Sequence, residues 1–172
     1  MQASIFQSQT SVAVIALGSN LGDSARVLPE AISRLQNFSR EPILKSSLWQ
    51  TAPVDCPPGS PLFLNAAVLL VPEKNETPES LLEKLAQMEV EFGRRPKTIL
   101  NEARTLDLDL ISFGRETRNT PALVLPHPRA HVRRFVLAPL NEIAPELTLP
   151  GQGRTVAQLL AALPPGGGVT RF

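Results

Sequence analysis

The chain predicts an α+β fold of the ferredoxin-like kind: a βαββαβ sandwich with helices on one face of an antiparallel sheet, followed by a C-terminal extension. Three observations lead there. Two stretches, 25–38 and 78–92, carry the period of an amphipathic helix. Four apolar or loosely alternating runs, at 12–17, 43–51, 63–71 and 104–113, fall around them in the order β, α, β, β, α, β. The 172 residues are 42% hydrophobic and 19% charged, which suits one well-buried core and is short for two. A single domain, residues 1–172 with its core at about 12–150, is therefore expected.

Residues 1–10 read as a polar lead-in, and Val12 to Leu17 as a buried strand that stops at Gly18-Ser19-Asn20. Asp23 or Ser24 can cap the helix that follows, whose apolar stripe is Val27, Leu28, Ala31, Ile32, Leu35 and Phe38. Ile43 to Thr51 alternates loosely and runs into 52–61, where Pro53, Pro57, Pro58 and Pro61 forbid regular structure and mark a long stiff loop. Phe63 to Val71 is too apolar for a half-exposed strand except at Asn65. Thr77, Pro78 and Ser80 open the second helix, Leu81, Leu82, Leu85, Met88 and Phe92 form its core face, and Gly93 closes it. Arg94 to Ala103 has no periodicity and reads as a basic loop. Beyond Gly114 the tail offers an extended piece at 122–125, a helix or turn at 131–140, an extended piece near Leu147 and a small helix at 155–163 before a Pro/Gly-rich end. There is no internal repeat.

The most telling stretch is Arg104-Thr105-Leu106-Asp107-Leu108-Asp109-Leu110. On a strand the three leucines take one face and both aspartates the other, with β-carbons roughly 7 Å apart. At an effective dielectric of about 20, two such anions about 6 Å apart repel by roughly 3 kcal/mol, and a hard divalent cation would reverse the sign. Spacing alone leaves open a strand whose second face is simply wet. The basic loop just ahead adds Arg94, Arg95, Lys97 and Arg104, and a metal-bearing polyphosphate would satisfy both sets. A third cluster, His127, Arg129, His131, Arg133 and Arg134, holds both histidines of the chain and could also grip phosphate. Neither cluster has zinc-ligand spacing, and there is no Walker or kinase signature.

These residues carry a family resemblance. Gly18-Ser19-Asn20-Leu21-Gly22, Phe63-Leu64-Asn65-Ala66-Ala67, Glu89 before Gly93-Arg94, the Arg104 to Leu110 block, and Pro126-His127-Pro128 with His131, Arg133, Phe135-Val136-Leu137 and Pro139-Leu140 together resemble 6-hydroxymethyl-7,8-dihydropterin pyrophosphokinase of folate biosynthesis. The resemblance runs from about residue 12 to 150 and implies the same ferredoxin-like fold. It implies transfer of the diphosphoryl group of ATP to the hydroxymethyl oxygen of the pterin, with release of AMP. Asp107 and Asp109 would hold two Mg2+, and Arg94 and Arg104 would reach the phosphates. Glu89, Lys97, Leu110, His127 and Arg133 would line the ATP side. The pterin would lie between Phe63 and Phe135, its edge on Asn65, with Gly18, Thr51, Ala52, Val54 and Asp107 completing its pocket.

Departures from the family pattern fall in the basic loop, which has Pro96 and Asn101-Glu102-Ala103 where many members have a second arginine and a Trp-Gly-Pro run. Lys97 is the candidate to supply that charge. Phe63 replaces a tyrosine found in some members. Net charge of +1 advertises neither nucleic acid nor anionic membrane as partner, and seven phenylalanines, one tryptophan and no tyrosine make a poor RNA platform. A single cysteine, Cys56, forms no intrachain disulfide, and the short apolar run at 12–17 is neither a signal nor a span. The expectation is a cytoplasmic monomer acting on two small molecules.

Overall fold

The computed structural model describes residues 12–95, 102–166 and 168–172. Strand β1 (Ala13–Ser19) lies at the centre of the sheet, antiparallel to β4 (Phe63–Leu70) on one side and to β5 (Asp107–Phe113) on the other. Beyond β4 come β2 (Leu44–Lys45) and β3 (Trp49–Thr51), both antiparallel to it. The sheet order β5-β1-β4-β3, with helix α1 (Ser24–Leu35) after β1 and α2 (Pro78–Glu91) after β4, is the expected βαββαβ arrangement.

Local chemistry sets the helix ends. Asp23 caps α1 by accepting from the Arg26 N–H, and a 3-10 turn at Gln36–Phe38 finishes it. Thr77 and Ser80 cap α2 reciprocally, and Gly93 turns the chain out at φ +88°. Leu28, Ala31, Ile32 and Leu35 of α1, with Leu81, Leu85 and Met88 of α2, pack on the face made by Ala13, Ile15 and Leu17 of β1, the even positions of β4, and Leu106, Leu108 and Leu110. Burying a leucine in such a layer stabilises by roughly 1.5–3 kcal/mol, so this layer holds most of the fold together.

The run at 43–51 is two strands rather than one. Between them the Ser46 hydroxyl accepts from the Ala67 N–H at 2.9 Å, and the register moves by one residue from Lys45↔Val68 to Trp49↔Asn65. A side chain has taken over a rung of the ladder, forming a bulge.

The tail does more than extend the chain. Helices α3 (Arg134–Ile143) and α4 (Val156–Ala162) cover the opposite face of the sheet, so helices lie on both faces of the whole chain, although the βαββαβ core keeps its two on one. Val14, Ala67, Leu69 and Ile111 pack there against Val136, Leu137, Leu140, Val156 and Leu159. The expected piece at 122–125 is a two-residue strand, β7 (Val124–Leu125), paired with β6 (Arg118–Asn119). A last strand, β8 (Thr170–Arg171), adds to the outer edge of β3. Nothing in the sequence pattern announced it.

Candidate active site

The tail helices cover only part of their face of the sheet. The rest, at the Ser19 end of β1, is the floor of a cavity of about 430 Å³. Ala16 and Gly18 make that floor because their small side chains stand between two walls. Ala16 pairs with Asp109 and Ala67, and Gly18 with Asp107 and Asn65. A β-carbon on Gly18 would come within 3.2 Å of Asn65 Oδ1 and 3.7 Å of the Phe63 ring. Glycine here is a matter of close approach rather than of backbone angle.

One wall is acidic and basic at once. The alternation of β5 turns Leu108 and Leu110 into the helix-covered core and leaves Asp107 and Asp109 facing the cavity. Arg94 and Arg104 both reach Asp107 Oδ1, at 3.2 and 3.1 Å, and Arg94 also pairs with Glu89. Gly93 makes this possible: after its turn the Arg94 N–H bonds back to the Glu89 carbonyl at 2.9 Å, bringing the guanidinium beside the strand. Glu89 is buried on α2, and its other oxygen accepts from the Leu108 N–H at 2.7 Å. Burial pushes its pKa up, against the pull of that N–H and of Arg94.

Asp109 is the strained member of the wall. Burial first, and the Asp107 charge second, push its pKa up to about 6, although Arg133, Arg104 and Arg94 pull the other way. Among the described residues no group of three or more His, Cys, Asp or Glu side chains could hold a metal ion. Two neighbouring carboxylates with an electrostatic deficit fit a hard cation that brings its remaining oxygen ligands from solvent or a bound phosphate.

The other walls come from loops. His127 is fixed by its N–H bond to the Ile111 carbonyl at 2.8 Å, and its Nδ1 accepts from the Arg129 N–H at 3.2 Å. Burial, then Arg133 and Arg129, push its pKa below the ordinary 6.5, so the ring is neutral at pH 7 with its proton on Nε2. The Arg133 guanidinium lies 5.5 Å from the centre of the Phe135 ring. Phe63, Phe135, Asn65, Thr51, Ala52 and Val54 line the side away from β5, and Asn65 Nδ2 donates to the Thr51 hydroxyl at 2.7 Å.

Of the residues singled out in the sequence, Gly18, Thr51, Ala52, Val54, Phe63, Asn65, Glu89, Arg94, Arg104, Asp107, Asp109, His127, Arg133 and Phe135 line one cavity. Leu110 does not. Strand alternation buries its side chain in the core under the helices, so it offers the cavity no side chain. Lys97 lies outside the described residues. Asp55, Cys56 and Leu82 line the cavity without having carried a site motif in the sequence, and Arg129, read there as part of the cationic cluster around His127, lines it too. Arg129 pairs with Asp55 at 3.0 Å, joining the Pro-rich loop to the His127 segment across the cavity mouth. Asn20, buried, was read as the end of a strand and as part of the Gly18 to Gly22 motif, with no contact assigned to it. Its Oδ1 accepts from the Arg104 N–H at 2.9 Å, and its own N–H donates to the Arg104 carbonyl at 3.1 Å, which anchors the end of the basic loop.

Such a cavity on a ferredoxin-like sheet, with paired carboxylates facing several guanidinium groups and an aromatic-lined end, defines a small-molecule phosphoryl-transfer enzyme. Comparison with known proteins makes the class specific. The model of the 7,8-dihydro-6-hydroxymethylpterin-pyrophosphokinase (HPPK) family matches residues 14–145, and the chain belongs to that family. Curated relatives named 2-amino-4-hydroxy-6-hydroxymethyldihydropteridine pyrophosphokinase include one from Bacillus subtilis, 41% identical over 137 residues, covering 79% of this chain and 80% of that protein. Another, from Pseudomonas aeruginosa, is 36% identical over 151 residues, covering 87% of this chain and 90% of that protein. Among solved structures, Plasmodium falciparum HPPK-DHPS with SDX-DHP superposes with a TM-score of 0.71 at 15% identity, covering 88% of this chain and 44% of that one. At that identity the match speaks for the fold alone, and the chain spans less than half of that longer polypeptide.

Proposed function

We propose that this chain transfers the β,γ-diphosphoryl group of ATP to the hydroxymethyl oxygen of 6-hydroxymethyl-7,8-dihydropterin, giving the pterin diphosphate and AMP, as its family does in folate biosynthesis. The observation that carries the reading is that Asp107 and Asp109 face the same cavity as Arg94, Arg104 and Arg133 on one side and Phe63, Asn65 and Phe135 on the other. Charge for a triphosphate and stacking surface for a flat heterocycle meet over two small floor residues. Mg2+ held by Asp107 and Asp109, two ions with ATP bound, would neutralise the phosphate oxygens around the phosphorus under attack.

The chain's own residues do the positioning. Phe63 and Phe135 hold the ring by its faces, and the Asn65 amide, oriented by Thr51, reads its polar edge. Arg94 and Arg104 rest on Asp107 and would reach phosphate oxygens if a cation held that carboxylate. Glu89 keeps Arg94 near the strand. His127, neutral, donates a hydrogen bond from Nε2 toward the nucleotide side, and Lys97 supplies the charge of the second arginine that many members of the family carry in the basic loop. Little covalent work falls to the protein, so positioning and electrostatics account for the rate.

The whole chain acts as one domain and a cytoplasmic monomer; among the described residues no helix is long and apolar enough to cross a membrane. The reading is tested by incubating the protein with ATP, Mg2+ and the reduced 6-hydroxymethyl pterin. AMP and the pterin diphosphate should form together. ADP in place of AMP, or no turnover of nucleotide, would overturn it.

A further inference from the structure

The last residues of the chain touch neither Asp107 nor Asp109, yet they are tied to the opposite side of the cavity by an unusually dense set of bonds. Glu142, on α3, accepts from the Ser47 hydroxyl at 2.8 Å, the Ser47 N–H at 3.2 Å and the Trp49 indole N–H at 2.9 Å, and pairs with Arg171 at 2.7 Å. Arg171 and Thr170 pair in register with Trp49 and Gln50, and the Phe172 N–H donates to the Leu48 carbonyl at 2.9 Å. One carboxylate thus binds together three separate parts of the chain: the second-face helix, β3 and β8.

What β3 leads to gives the clamp a role. Trp49 stands opposite Asn65 in the ladder, and Thr51, two residues on, accepts the Asn65 hydrogen bond. Ala52 follows, lining the cavity, and a β-carbon on Gly168 would lie 3.7 Å from its side chain. Without β8, β3 would be an edge of three residues paired on one side only, next to an eleven-residue loop with no regular structure. Such an edge frays.

We propose that Glu142 and the C-terminal strand are positioning elements for the pterin side of the reaction, holding β3 so that Thr51 aims Asn65 and Ala52 keeps its place in the wall. The carboxylate-lined side rests on β5 and α2, which the clamp does not touch, so the effect is one-sided. The inference rests on the substrate reading above.

Three variants test it: Arg171→Ala, Glu142→Gln and a chain ending at Pro165. In Arg171→Ala the pterin KM should rise about tenfold while the ATP KM stays within about twofold, since small misplacements of positioning groups are felt at the group they hold. Arg171→Lys should restore most of the loss. Trp49 is the chain's one tryptophan, so its emission reports the clamp directly and should shift in the affected variants. The Arg171 side chain is 60% exposed, so its removal opens no cavity, and this variant decides the question if the truncation or Glu142→Gln fails to fold. Equal changes in both KM values, or a lower melting temperature with both KM values unchanged well below it, would overturn the proposal. Failure of the unaltered protein to form AMP would instead overturn the substrate reading.

Discussion

Replacing Asp109 by Asn should make the metal-free protein more stable and the enzyme inactive. The carboxyl pKa lies at about 6 against an ordinary 3.8, because burial and the neighbouring Asp107 charge disfavour ionisation. A raised carboxyl pKa stabilises the fold while the group is protonated, and that contribution is lost as pH rises through about 6. At pH 8 the wild-type protein carries the whole cost of the buried charge. A shift of about two units, at 1.36 kcal/mol per unit, makes that cost about 3 kcal/mol. Asn has the same shape and no charge, so the variant should gain about that much at pH 8 and under about 1 kcal/mol at pH 4. For a chain of this length the gain corresponds to a rise of roughly 6–12 °C in Tm. The assay is thermal or urea unfolding of both proteins at the two pH values with divalent ions chelated. Adding Mg2+ with a non-hydrolysable ATP analogue should narrow the gap, by stabilising the wild type alone. Equal midpoints at pH 8, or the same gain at both pH values, would show that charge burial at Asp109 is not what sets the difference.

Asp107→Ala should remove most AMP formation while pterin affinity, measured by fluorescence titration without nucleotide, falls by far less; loss of the fold would mark the residue as structural. Glu89→Ala should cost about 2–4 kcal/mol in urea unfolding, because it strands the buried Leu108 N–H and leaves Arg94 with one anion fewer. Glu89→Gln, which keeps an acceptor for that N–H, should lose less than half as much, and equal losses would refute the assignment of the cost to the hydrogen bond.

The legibility of this chain followed period and chemistry. Two-residue alternation at 106–110 was enough to place both aspartates on one face, and capping residues at Asp23 or Ser24 and at Thr77 located two helix starts. The interruption at Ser46 was hidden because a serine hydroxyl replacing a backbone partner leaves no trace in a hydropathy pattern. The tail's role was hidden because Val136, Leu137 and Leu140 have the same stripe whichever face of the sheet they cover. Asn20, Arg129 and Glu142 act through contacts between segments 41 to 95 residues apart, and no local pattern encodes such distances. The resemblance marked the position of Leu110, while strand geometry buries its side chain in the core.

Alternation along the strands also divides the chain's tolerance of change. On β5 Leu108 and Leu110 fasten the sheet to α1 and α2, Asp107 and Asp109 meet whatever enters the cavity, and Ile111 packs beyond it under the tail helices. Position 16 of β1 and positions 63 and 65 of β4 stand on the cavity face as well. A library confined to 16, 63, 65, 107 and 109 would vary recognition while leaving every side chain of the larger core in place. Substitutions at 15, 17, 64, 66, 108 and 110 would be filtered for folding before any question of substrate arose. Separating the two demands by a single step along the backbone lets selection act on recognition without first having to rebuild the scaffold.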